Sequence, residues 1–133
     1  MSKSNFLESA FINAVFGAGS VTPDATLYIA LHTADPGEGG SQTSNEATFG
    51  GYVRQPVTQT TGWTIGTDNV VNVADITFPE ATSGSELITH FSVGDAVSGA
   101  GNILYLAALT GSVPVSTGIT VKFNAGNLSV TES

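Results

Sequence analysis

The chain has 133 residues, no cysteine and a formal net charge of −8, from three Lys and Arg against eleven Asp and Glu. That length makes one domain with room for an ordinary core, and the lack of cysteine excludes a disulfide scaffold, a thiolate metal site and a cysteine nucleophile. So acidic a chain is unsuited to a nucleic-acid backbone or an anionic membrane surface, both of which recruit clustered Lys and Arg. No apolar run reaches the roughly 18 residues that span a bilayer, and no apolar h-region marks a signal peptide.

The first segment is the one good helix candidate. Ser4 is placed to cap it and Glu8 sits near the positive end of its dipole. Phe6, Leu7, Ala10, Phe11, Ala14 and Val15 make an apolar stripe at helical spacing. Gly17 or Gly19 is expected to end the helix as a left-handed residue. The stripe has two readings: a helix packed on its own domain, or an arm docked on a neighbouring subunit.

After Pro23 the period changes to two. Leu27, Ile29 and Leu31 alternate with Tyr28, Ala30 and His32, which predicts a strand over 26–33. A turn-rich, glycine-rich stretch follows over 34–51, long enough to suggest function. Residues 52–60 read as a strand that Pro56 demotes to an edge or a bulge. A short strand is expected at 63–65. Over 69–78 the apolar phase changes near Ala74, which predicts a bulge or a break. Further strands are expected at 86–93 and 102–110, the latter apolar enough to predict burial on both faces, then at 118–123 and around Leu128 and Val130. Seven or eight short strands with turn signals between them predict an all-β fold, a single-domain β-sandwich or jelly roll over 1–133 with one short N-terminal helix. Residues 1–19 form its helix or arm and 34–51 its long loop. Charged residues are only 11% of the chain, against about 25% in ordinary domains. Ser, Thr, Asn, Gln and Gly must therefore carry the contact with water.

No catalytic constellation emerges. There is no phosphate-binding G-x-x-x-x-G-K-[ST] loop and no G-x-S-x-G elbow. His32 and His90 are the only histidines. His32 reads as a strand-end residue beside a solvated acidic turn, and His90 as exposed or at an interface. Asp35, Glu38 and Glu46 supply oxygen ligands of the kind calcium takes, but their spacing matches no EF-hand. No catalytic residue, cofactor or metal site is expected. Arg54 is expected to pair with a carboxylate of its own or a neighbouring subunit.

The strand and loop from Leu27 to Glu38 read LYIALHTADPGE, and the loop exit from Gly50 to Gln55 reads GGYVRQ. With Ile76 to Thr82, Phe91 to Ala96, Gly101 to Tyr105 and Ala125 to Leu128, these segments resemble a family of small structural proteins of tailed bacteriophages, often labelled tail-fibre-like. The resemblance covers nearly the whole chain. Pro56 departs from it, standing where a small residue is expected. It implies a virion structural role without catalytic residues, on the capsid exterior or the tail of a particle assembled in the host cytoplasm. A head decoration, or cement, protein is the first expectation, because nothing in the chain supplies the length of a fibre. Such a protein would bind the major capsid protein or other virion proteins, as a homo-oligomer of two or three copies by analogy with other decoration proteins. Candidate contact residues are Phe6, Phe11 and Val15 on the helix and Asp35, Glu38, Tyr52 and Arg54 on the loop and its exit. The alternatives are a tail, baseplate or fibre-associated module, and a carbohydrate-binding jelly roll using Trp63, Tyr28, Tyr52 or Tyr105.

Overall fold

The computed structural model describes residues 2–20 and 25–131. Met1, Pro23 and the last two residues, at the expected domain limits and the change of period, lie outside them. Strand β1 (Ser2–Lys3) leads into helix α1 (Asn5–Phe16). The Ser4 hydroxyl accepts the Leu7 N–H at 3.2 Å, and Glu8 stands in the first turn, so the cap forms as expected. The helix ends differently. Gly17 is extended, with φ −113° and ψ −158°, and its N–H still bonds the Asn13 carbonyl. The ending therefore needs no left-handed glycine.

The strands that follow are β2 (Thr26–His32), β3 (Gln55–Thr58), β4 (Trp63–Ile65), β5 (Asn69–Asn72), β6 (Ile76–Thr77), β7 (Ser85–Gly94), β8 (Ile103–Ser116), β9 (Lys122–Phe123) and β10 (Ser129–Thr131). They form an antiparallel five-stranded sheet in the order β1-β8-β7-β2-β3. A three-stranded sheet, β10-β5-β4, and a two-stranded one, β6-β9, complete the set. Together they make an all-β sandwich with a short N-terminal helix. Pro56 lies in edge strand β3 and is exposed, where its missing N–H costs no ladder bond. The phase change near Ala74 is a full break between β5 and β6.

The core is drawn from all three sheets. Ile29, Leu31, Ile88, Val93 and Val115 face Trp63, Ile76, Phe78, Leu128 and Val130. A chain of rings crosses it: Phe49, Tyr52, Phe78, Phe123 and Phe91, with successive centroids 5.4, 6.1, 6.4 and 5.8 Å apart. Such offset and edge contacts add to plain area burial.

Strand β8 corrects an expectation. It is not buried on both faces: Ala108 and Thr110 are exposed, and Leu104 and Tyr105 only half-buried. Among the described residues its outer edge pairs with Ser2 and Lys3 of β1, and the Ser4 N–H donates to the Leu104 carbonyl at 2.9 Å. Its register to β7 also slips, from Ile88↔Val113 to His90↔Ala108. An apolar run marks a strand, but its place in the sheet decides how many faces are covered.

Candidate functional site

The long loop is where the chain concentrates buried polar side chains. It is no free excursion. Beyond Ile29, where β3 stops pairing, residues 45–47 take over along the same edge of β2. The Ala47 N–H donates to the Leu31 carbonyl at 2.9 Å and the Thr33 N–H to the Asn45 carbonyl at 2.8 Å. Between these two stretches the Leu31 N–H would be left over. The Tyr52 hydroxyl accepts it at 3.2 Å and donates in turn to Glu46 Oε2 at 2.7 Å.

Arg54 closes the arrangement. Its Nε donates to Glu46 Oε2 at 2.7 Å and its Nη2 to Glu46 Oε1 at 2.9 Å, a two-pronged charge-assisted pair. The same guanidinium reaches the Ala96 carbonyl at 3.0 Å and the Gly99 carbonyl at 2.7 Å. Its side chain is 3% exposed. The expected carboxylate partner of Arg54 thus lies in its own chain. Buried guanidinium groups are tolerated only when so fully paired.

Gln42 is the second clasp. It is fully buried, accepts the Ala96 N–H at 3.0 Å and donates to the Ala96 carbonyl at 3.2 Å. Gly94 and Gly101 flank it so closely that a Cβ on either would collide with its amide group. Arg54 and Gln42 therefore tie loop 34–51 to the turn over 95–101.

His32 is the third. It was expected beside a solvated turn, yet it is fully buried, because the loop folds back over the end of β2. Its Nδ1 donates to the Ser44 carbonyl at 2.8 Å, and its Nε2 lies 2.7 Å from Ser92 Oγ. A carbonyl only accepts, so Nδ1 carries the proton and Nε2 takes the serine's. Burial pulls the His32 pKa below 6.5, against the bond to Ser44 and the Glu46 charge, which push it up. Burial, and then the bond to Glu46, push the Tyr52 hydroxyl above its usual value of 10. His90, opposite His32 in the sheet, is half-buried and bonded to Thr89 Oγ1 at 2.8 Å.

The sequence candidates thus separate. Tyr52 and Arg54 come together, inside the chain. Asp35 stays at the exposed turn, accepting the Gly37 N–H at 2.8 Å, and Glu38 is exposed. Asp35, Glu38 and Glu46 do not converge: among the described residues no three His, Cys, Asp or Glu side chains gather as a metal site would require. Phe6, Phe11 and Val15 sit on α1, where Leu7 alone is buried. Gln42 escaped sequence reasoning, because a glutamine among Ser, Thr and Gly looks like any solvated loop residue. Glu46 entered only as a calcium ligand, since nothing local links it to Arg54.

The aromatic residues divide similarly. Trp63 belongs to the core, and its Nε1 is buried without a hydrogen-bond partner. With Leu27, Ile65 and Tyr105 it borders an apolar cleft of about 140 Å³. Tyr28 and Tyr105 are half-buried.

The buried polar cluster joins segments, and its hydrogen bonds run to the chain itself. What it holds together is a small all-β sandwich. The chain belongs to the family described as Podophage GP4 fiber I protein gp80, whose model matches residues 2–131. Comparison with curated proteins gives no match.

Proposed function

We propose that this chain is a non-enzymatic structural subunit of the fibre apparatus of a tailed-phage virion, held there by protein–protein contacts. The observation that carries the reading is the match to a phage fibre family over nearly the whole chain. The clasped loop supports it. Arg54, Glu46, Gln42 and His32 are committed to each other and to the backbone, which suits a rigid building block. The contacts with other virion proteins would fall to groups left outside that cluster: the apolar side chains of α1, and Asp35 and Glu38 at the loop tip.

Capsid decoration is the second reading. It is favoured by shape: loop 34–51 folds back on the sandwich instead of extending, and among the described residues the strands, of 2 to 14 residues each, make no elongated repeat. Stoichiometry with position separates the two. The chain is quantified against the major capsid protein in purified virions, and particles are imaged with an antibody to it. Few copies, labelled at the tail, are expected. Label over the whole head, in proportion to the capsid subunits, would overturn the fibre reading in favour of decoration. Absence from the particle would overturn both.

A further inference from the structure

The apolar cleft beside Trp63 is a slot of about 140 Å³ between the two larger sheets. Leu27 and Val93 line it from the five-stranded sheet, and Trp63, Ile65, Val70 and Val130 from the three-stranded one. A cavity of about 150 Å³ with such walls stays dry and holds one benzene ring, so the slot is the size of one apolar side chain. Two features of its wall are unfinished. Trp63 is 9% exposed, and its buried Nε1–H has no hydrogen-bond acceptor among the described residues. Buried tryptophan N–H groups ordinarily have one. Thr60, also on the wall, centres a turn that the Thr61 N–H closes on the Gln59 carbonyl at 2.9 Å. Its φ of 71° is a strained value for a β-branched residue. A donor without an acceptor and a strained wall at one apolar slot mark a site that something bound completes.

We propose that the slot receives one large apolar side chain, Leu, Ile or Phe, from a segment of a different protein. A main-chain carbonyl of that segment accepts the Trp63 N–H, and a Lys or Arg beside the apolar residue meets Asp68. This rests on the reading of the chain as a virion building block and names a contact it makes. Charge argues for the basic residue. A second pocket of about 230 Å³ adjoins the slot, shares Ile65, Val70, Tyr105 and Val130 with it, and includes Asp68. Asp68 is exposed, and the cations of its own chain are engaged elsewhere: Arg54 with Glu46, Lys122 with Asp75, and Lys3 over the Phe11 ring. A chain of net charge −8 attracts a basic segment and repels an acidic one, a second copy of itself included. A sugar ring fits less well, since its hydroxyls need several polar partners and the slot is walled mainly by Leu, Ile, Val and Trp side chains.

The test uses the full chain and its single tryptophan, whose indole N–H gives one NMR resonance. Titration with acetyl-Leu-Lys-amide is expected to move that resonance saturably to lower field, as the N–H gains an acceptor. Acetyl-Ala-Lys-amide leaves the slot unfilled and is expected to bind at least about tenfold more weakly. Asp68→Asn, in an exposed turn, is expected to weaken acetyl-Leu-Lys-amide by about two- to five-fold, and added salt to weaken it in the wild type. The titration reads the slot alone and the virion count reads the location, so the two proposals can fail separately. An indole resonance that acetyl-Leu-Lys-amide leaves in place would overturn the slot's assignment. So would equal affinity for the Leu and Ala probes, or an Asp68→Asn chain that binds as the wild type does. A saturable shift with galactose or N-acetylglucosamine, and none with the dipeptides, would overturn it in favour of a glycan site.

Discussion

Arg54 and Glu46 lie eight residues apart on either side of a glycine-rich turn and meet as a two-pronged ion pair, at 2.7 and 2.9 Å, inside the protein. The pair matters because of what else its members hold. Glu46 also accepts the Tyr52 hydroxyl, which accepts the Leu31 N–H of the central strand. Arg54 also holds two carbonyls of the 95–101 turn. One guanidinium thereby fastens two loops, and one carboxylate fastens a loop to a sheet edge.

Removing Arg54 leaves the largely enclosed Glu46 carboxylate without its counter-charge, with the Tyr52 hydroxyl still bonded to it. Arg54→Met is expected to cost about 3–5 kcal/mol, read as a lower urea midpoint. Arg54→Lys keeps the charge but loses the planar fork, and is expected to recover only part of that stability. A wild-type midpoint in Arg54→Met would refute the clasp.

Tyr52→Phe tests the link to the sheet. It keeps the ring but strips the Leu31 N–H of its acceptor, at a cost of about 1–3 kcal/mol. Faster hydrogen exchange at the Leu31 amide is the local signature. The hydroxyl also predicts an alkaline limit. Its pKa is raised in the fold by burial and then by Glu46. The unfolded phenol ionises near 10 while the folded one does not, so this residue's contribution is lost as pH rises above about 10. In Tyr52→Phe that loss should shrink.

At the acid end His32 sets the slope. Burial lowers its pKa below 6.5, so as pH falls through 6.5 the unfolded chain binds a proton that the fold resists. Stability is therefore complete above 6.5, falls below it, and levels once pH passes under the folded pKa. Thermal melts at stepped pH are expected to show this decline before carboxylates titrate. At any pH near 6.5 the His32 ring resonances should lie nearer the neutral form than those of a free histidine. A folded-state titration midpoint at or above 6.5 would contradict the account.

Gly94 and Gly101 give a packing test. A methyl group on either meets the buried Gln42 amide, so Gly94→Ala and Gly101→Ala are each expected to cost about 1–3 kcal/mol by overpacking. Gly111, with nothing near its missing side chain, is the control: Gly111→Ala should lie within about 0.5 kcal/mol of wild type. Equal effects at all three positions would show that Gln42 is not held as described.

Much of this architecture follows from local pattern. Alternation from Leu27 to His32, the Ser4 cap, the edge role of Pro56 and the break near Ala74 could each be read from a few neighbouring residues. Each depends on forces that act within a turn or a strand. What the linear order did not carry was meeting across the chain. Glu46 meets Arg54, and Gln42 meets Ala96, 54 residues away, only because the loop folds back along β2. His32 is buried for the same reason. The two readings of α1 were equally apolar in sequence, and only the sandwich showed that its own domain covers Leu7 and leaves Val15 and Phe16 outside. Hydrophobicity says that a side chain must be covered. The tertiary structure says which surface of the same chain does not cover it.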